Sequence, residues 1–220
     1  MRLYHLLPAE YGLSNIEYRR LKIAQLSDLN DPFELVAADY SDPLHRKIWN
    51  GWRQAQEKKW GMLCFSKTWH NPVLWSHYAD KHRGMALGFD VDDSLLMPVR
   101  YTNNRTKLDV IRLRNEGRLT AEHMNRLMRT KFVDWEYERE VRTYASLQER
   151  DPETGLFFVH FNESLRLREV IAGPLCTLTK SDIASKIHEE HHSVKLVKAR
   201  LAFKTFRVVT QNRGFGGGAA

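Results

Sequence analysis

At 220 residues, with 42% hydrophobic and 28% charged residues, the chain can bury one core and fits one domain better than two, which excludes disorder and fibre. Its formal charge of +7 favours a polyanionic partner through the field alone, and equally serves solubility. No apolar run approaches the span of a bilayer, and Cys64 and Cys176 are too few for a disulfide framework or a metal pair, so the expectation is a cytoplasmic protein with no membrane partner.

Residues 2–7 (RLYHLL) run straight from the start of the chain into a strand, without the apolar core of a leader, and stop at Pro8. A helix follows from Ala9 to about Arg20, with Tyr11, Leu13 and Ile16 on one side, then a strand at Leu21–Gln25. The turn-rich stretch Ser27–Pro32 lets Asx side chains bond their own backbone. Asp42–Trp60 is an amphipathic helix, with Leu44, Ile48, Trp52 and Ala55 spaced four, four and three. Met62–Ser66 reads as a strand. Asn71 is an N-cap with Pro72 at the first position of a short helix through Asp80. Gly84–Asp90 and Pro98–Tyr101 read as strands, and residues 106–133 as helical, interrupted near Gly117. Glu138–Leu147, Gly155–Phe161 and Arg168–Ala172 are rich in β-branched and aromatic residues and predict strands. A capping box, Thr179-x-x-Asp182, opens a helix to His192, and strands at Val194–Val197 and Phe206–Thr210 close the pattern. The end from Gly214 (GFGGGAA) cannot pack, so a single domain is expected over residues 1–211 with a flexible tail at 212–220. Helices and strands are interspersed without regular βαβ alternation, which places the chain in the α+β class.

No glycine-rich nucleotide loop and no metal or nucleophile-elbow motif occurs. His188 and His192 lie one turn apart, but the run from His188 to His192 reads as the wet end of a helix, and no metal site is expected. Cys64, in mid-strand after Met62 and Leu63, reads as inert core rather than a nucleophile. Three separated clusters remain: Tyr4-His5 on the opening strand, read as an edge; Cys64-Phe65-Ser66 with Trp75-Ser76-His77-Tyr78-Ala79-Asp80 and His82-Arg83-Gly84; and Trp135 to Arg142. Strand alternation over Glu138–Leu147 sets Glu138, Glu140 and Arg142 on one face, either a solvated ion-paired face or a site.

Asn30-Asp31-Pro32-Phe33-Glu34, Cys64-Phe65-Ser66, Trp75-Ser76-His77-Tyr78-Ala79, His82-Arg83-Gly84 and Tyr137-Glu138-Arg139-Glu140-Val141-Arg142 together resemble, in order from Leu3 to about Ile171, the boxes of a bacterial domain of unknown function numbered 2971. The order of elements also resembles, more distantly, ADP-ribosyltransferases of the histidine–tyrosine–glutamate type. That second resemblance implies a split, mostly antiparallel sheet flanked by helices, with NAD as substrate. His5, with Tyr4, would hold the NAD ribose; Phe65, beside Ser66, and Tyr78 would clamp nicotinamide. The first aromatic is Phe65 where the pattern has tyrosine. Trp75 and His77 would support this pocket, and Arg83 the pyrophosphate. Glu140 or Glu138 would supply the late carboxylate; the choice is open, with Glu140 taken as the group that stabilises the transition state and Glu138 as helping to select the acceptor.

The chemistry suits these residue types. Cleaving the nicotinamide–ribose bond passes through an oxocarbenium-like cation, which a fixed carboxylate stabilises. Aromatic faces hold a flat cationic ring by stacking and cation–π attraction. Basic residues (Arg105, Lys107, Arg112, Arg114, Arg118, Arg126, Arg129, Lys131, and Lys195, Lys198, Arg200, Lys204, Arg207) point to a nucleic-acid acceptor, with a protein acceptor as the alternative. A bacterial toxin or antiviral-defence setting, with a neutralising partner, would follow. The rivals are a non-catalytic nucleic-acid-binding module that stacks bases on the same aromatics, and a nuclease built on the His and Glu residues.

Overall fold

The first half of the chain, in the computed structural model, forms β1 (Arg2–Leu7), α1 (Ala9–Glu17), β2 (Arg20–Lys22), β3 (Ala24–Gln25), α2 (Pro43–Glu57), β4 (Trp60–Ser66), α3 (Pro72–Tyr78), β5 (Met85–Val91), β6 (Met97–Pro98) and β7 (Arg100–Thr102). The second half adds α4 (Ala121–Met128), β8 (Thr130–Phe132), β9 (Glu140–Ser146), β10 (Phe158–His160), β11 (Leu165–Ala172), α5 (Lys180–Ala184), β12 (Lys195–Leu201) and β13 (Val208–Thr210). The structure describes residues 1–34, 36–105, 107, 115, 121–188 and 193–216. Among them no helix is long and apolar enough to cross a membrane.

The fold is a single α+β domain on a nine-stranded, mostly antiparallel sheet in the order β13-β12-β11-β5-β1-β4-β9-β6, with β3 added beside β4. Among the described residues only β11 and β12 pair in parallel within it. Two short ladders, β10 with β2 and β7 with β8, lie outside it. β1 is central rather than an edge: β5 pairs with it along its full length, from Arg2 opposite Asp90 to Leu7 opposite Met85. Its other neighbour, β4, meets it at one position, Tyr4 opposite Ser66. Beyond that pair the two strands part, while β4 continues in unbroken register with β9 from Trp60–Ser146 to Ser66–Glu140. The sheet is therefore forked between β1 and β4.

Two-residue alternation sorts the core. Leu3, Leu7, Leu63, Phe65, Leu87, Phe89, Val141 and Val170 join Ile16 of α1 in the largest apolar cluster. On the opposite face Leu6, Ala86 and Ile171 receive Leu74 and Trp75 of α3. Trp49 of α2 and Leu127 of α4 pack on Met62. α3 begins where expected, because the Asn71 side chain accepts from the Val73 amide at 2.9 Å and Pro72 presets the first turn. It ends in three successive left-handed residues, Asp80, Lys81 and His82 (φ 41°, 49° and 72°). Gly84 follows, where a Cβ would stand 2.2 Å from the Leu7 carbonyl, so only glycine lets this turn close onto β1.

Elsewhere the expected boundaries move. α1 stops at Glu17 and Arg19 turns left-handed (φ 51°). The strand expected at Pro98–Tyr101 is two, β6 and β7. Within residues 106–133, α4 accounts for Ala121–Met128, but Thr130–Phe132 is a strand rather than helix; most of residues 106–120, with Gly117, fall outside the described residues. Thr179 and Asp182 do form the capping box, yet the helix is five residues long, and 189–192 lie outside the description, as do 217–220 of the tail.

Trp75 is completely buried and its indole donates to the Trp69 carbonyl at 2.5 Å. Trp75→Ala is expected to lower the unfolding free energy in urea by about 3–5 kcal/mol, a loss that a residue serving mainly to touch a ligand would not show.

Candidate functional site

The fork holds a cavity of about 320 Å³ lined by Tyr4, His5, Phe65, Ser66, Tyr78, Glu138 and Glu140, with Asn30, Glu34, Cys64 and Lys131 among its other walls. Register explains who faces whom. Tyr4, Ser66, Glu140, Cys64 and Arg142 sit opposite one another across the β1, β4 and β9 ladders and share one face, the face covered by α3 and Tyr78. His5 and Phe65 point to the other face and meet edge-to-face at 5.9 Å. The cavity is thus walled from both faces of the sheet, as only a parted pair of strands permits.

The parting leaves the Cys64 carbonyl without its ladder partner, and His5 Nδ1–H donates to it at 2.9 Å. That bond fixes the tautomer and leaves Nε2 as the lone-pair nitrogen. Burial lowers the His5 pKa, so the ring is neutral at pH 7. Ser66 Oγ donates to the Glu138 carbonyl at 2.6 Å and accepts from the Thr68 amide, which ties the end of β4 to the segment carrying the carboxylate.

Beside the cavity lies a buried ionic cluster. Lys131 Nζ reaches Glu34 at 3.0 Å, Glu138 at 2.6 Å and Glu140 at 3.1 Å. Arg142 donates from Nε to Glu140 at 2.8 Å and from one terminal nitrogen to both Glu34 oxygens at 2.8 Å, and its other nitrogen reaches the Met128 carbonyl. All five side chains are buried, Arg142 entirely. Three carboxylates therefore face two cations. Burial would raise Glu140, but Arg142 and Lys131 outweigh it and hold its carboxyl down. Glu138 moves the other way: burial raises it more than Lys131 and Tyr78 lower it. Burial and the neighbouring Glu138 push the Tyr78 phenol up, so Tyr78 stays protonated and donates to Glu138, while Asn30 donates to the phenol oxygen at 3.1 Å.

The two glutamates differ in local structure as well as charge. Glu140 opens β9. Glu138 is not on that strand but ends a short 3₁₀ turn, Val133–Glu138, and Arg139 between them is left-handed (φ 47°). The kink, not strand alternation, brings the two carboxylates to the same lysine. Glu140 spends both oxygens on Arg142 and Lys131, whereas Glu138 takes Lys131 on one and the cavity-lining Tyr78 on the other. The ion-paired groups are buried rather than on a solvated face, and Arg139, between the two glutamates, is exposed and pairs with neither.

Three of the residues expected at the site lie elsewhere. Trp75 belongs to the core. His77 is exposed, sharing a 2.8 Å hydrogen bond with the Tyr137 hydroxyl beside Trp135. Arg83 is exposed on the left-handed turn after α3 and does not line the cavity. Phe65 lines it but is almost wholly packed against His5 and Phe89. Tyr4 lines it too, with its hydroxyl on Glu169 at 3.2 Å. Lys131, grouped from sequence with the basic surface, is instead caged by carboxylates under the Trp135 ring, and Lys198 is turned onto the Gly173 and Cys176 carbonyls. Arg112, Arg114 and Arg118 fall outside the described residues. Burial raises the Cys64 thiol, in keeping with an inert cysteine. Glu34 was visible only as the last residue of the Asn30–Glu34 box.

Over residues 74–143 the chain is similar to one family. Its description is "Protein of unknown function (DUF2971)", and the matched segment runs from α3 into β9. It contains Tyr78, Lys131, Glu138, Glu140 and Arg142; the boxes at Asn30–Glu34 and Cys64–Ser66 lie outside it. No curated protein and no solved structure matches the chain, and none of these comparisons supports the expected likeness to ADP-ribosyltransferases.

The cluster separates the two glutamates by stability. In Glu138→Gln the amide oxygen can keep Lys131 and the amide nitrogen can face the phenol oxygen, with the charges now balanced. Its unfolding free energy at pH 8 is expected to equal or exceed that of the wild type. Glu138 has a folded pKa above its usual 4.5, so its contribution is present at low pH and lost as pH rises through the folded value. The variant's advantage should therefore shrink as pH falls toward 4.5. Glu140→Gln turns an amide N–H toward Arg142 or Lys131 and should cost about 3 kcal/mol. Urea unfolding of both variants across pH 4.5–8 reads the contrast.

Proposed function

We propose that the chain is an NAD-dependent ADP-ribosyltransferase whose nicotinamide ring occupies the fork between β1 and β4. The observation that carries the reading is the cavity beside a buried cluster with one carboxylate more than its cations. A site with surplus buried negative charge is complementary to a cation. Nicotinamide in NAD is a cationic aromatic ring, and loss of nicotinamide leaves an oxocarbenium-like ribose, so the surplus charge is useful in both the bound and the reacting state.

Roles follow from the atoms. Glu138 is the carboxylate with an oxygen turned to a cavity wall, and it stabilises the positive charge that develops on the ribose. Glu140, saturated by Arg142 and Lys131, is a positioning residue, as are Lys131 and Ser66, which hold Glu138 by its carboxylate and its carbonyl. Tyr78, on the α3 face, offers the ring on which nicotinamide stacks and keeps its hydroxyl on Glu138. Phe65 contributes an edge from the opposite face. His5, held neutral with Nε2 as an acceptor, takes a hydrogen bond from a ribose hydroxyl. The acceptor is a nucleic acid or a protein. The metal-dependent nuclease reading is the weaker one, because Lys131 and Arg142 already occupy the positions around the carboxylates that a divalent ion would need.

Incubating the pure protein with NAD labelled in its adenylate part, with DNA, RNA or cell lysate, tests the reading. Expected are nicotinamide release and transfer of label to a macromolecule, both reduced at least a hundredfold in Glu138→Gln. Absence of nicotinamide release under every condition, or full activity in Glu138→Gln, would overturn it.

A further inference from the structure

The hairpin that joins β12 to β13 carries two phenylalanines that the fold does not use. Phe203 and Phe206 are 90% and 98% exposed, among the most costly side chains to leave in water. They stand among cations: Arg200 lies over the Phe203 ring at 4.4 Å, and Lys204 and Arg207 are exposed beside them. Phe206 and Arg207 also form one wall of a second, larger groove of about 980 Å³. Its other walls include Lys67, Tyr101, Tyr137 and Arg139, and Glu140 is common to this groove and to the cavity in the fork. Among the described residues Lys67, Arg139 and Arg207 make no ion pair, and the acidic side chains on the groove are Glu136 and the neutralised Glu140.

We infer that this groove binds single-stranded nucleic acid and leads one nucleotide toward the fork. Unpaired cations attract a phosphate backbone, and exposed aromatic faces accept bases by stacking; stacking requires bases that are not already paired and stacked, which selects a single strand over a duplex. An anionic membrane would also suit cations beside phenylalanines, but it would engage the hairpin tip alone, while the cations and aromatics here continue down a concave wall to the carboxylate cluster. That the bound strand is the acceptor of ADP-ribose rests on the transferase reading; that it binds does not.

The test is fluorescence anisotropy with a labelled mixed-sequence 12-mer as single-stranded DNA, as single-stranded RNA and as duplex, without NAD, beside flotation of the protein on phosphatidylglycerol vesicles. Expected is binding of at least one of the single strands at least tenfold tighter than the duplex, with a slope of log K against log salt near about −2 for three phosphate contacts. Phe206→Ser and Arg139→Gly should each weaken it by about tenfold. Both positions are exposed, and glycine suits the left-handed backbone at Arg139, so neither change threatens folding. Lys47→Glu, exposed on α2, is the control and should leave binding unchanged. Equal or tighter duplex binding, no binding at 50 mM salt, insensitivity to both groove variants, or a Phe206→Ser defect confined to vesicles would each overturn the inference. Because the assay contains no NAD, its failure is separate from failure of the transferase reading.

Discussion

Lys131 is where the chain's distant parts are made to agree. Its ammonium collects Glu34 from the long turn after β3, Glu138 from the 3₁₀ turn and Glu140 from β9. Arg142 then ties Glu34 and Glu140 to the α4 segment through the Met128 carbonyl. Buried charges at such density are costly unless each is met by a partner, and the three-to-two ratio means this cluster is never fully met by its own residues. It can take up a proton on Glu138 or admit a cation from outside. The Tyr78 phenol and the Lys131 ammonium fix the Glu138 carboxylate in place at the wall of the cavity.

The second constraint is the parting of β1 from β4. A sheet paired throughout would have no room for a ligand between its strands and no need of His5 to satisfy the Cys64 carbonyl. One shared pair, Tyr4 with Ser66, keeps the sheet continuous and fixes the alternation on both sides. The opening beyond it lets side chains from opposite faces reach one space. α3 completes the wall, and it is positioned by ordinary means: an asparagine cap, a proline in its first turn, Trp75 sunk in the core and a glycine-closed turn at its end. Tyr78 is then carried to Glu138 by a rigid element.

Much of this was legible in the residues because it follows local rules. The opening strand, the cap and start of α3, β4 and the capping box at Thr179 all announce themselves through period, cap or turn chemistry. His5, Tyr78, Glu138 and Glu140 were recognisable as chemistry-bearing types, and the structure brings them around one cavity. What escaped depended on contacts far apart in sequence. Lys131 looks like one of many surface cations until three carboxylates surround it. Glu34 looks like the end of a turn. Glu138 reads as a strand residue because nothing in its neighbours reveals that Arg139 turns left-handed. Trp75 and His77, adjacent to good candidates, differ only in which side of a seven-residue helix they occupy. Arg83 belongs to a turn whose direction is set by packing against β1.

A crystal structure of the Glu138→Gln protein with NAD bound tests the account most directly, since the variant is expected to fold and not to turn over. The nicotinamide ring should lie in the fork, stacked on Tyr78, with its ribose within hydrogen-bond reach of His5 and Gln at position 138 beside the glycosidic carbon. NAD seated elsewhere, or a fork left empty at saturating NAD, would contradict it.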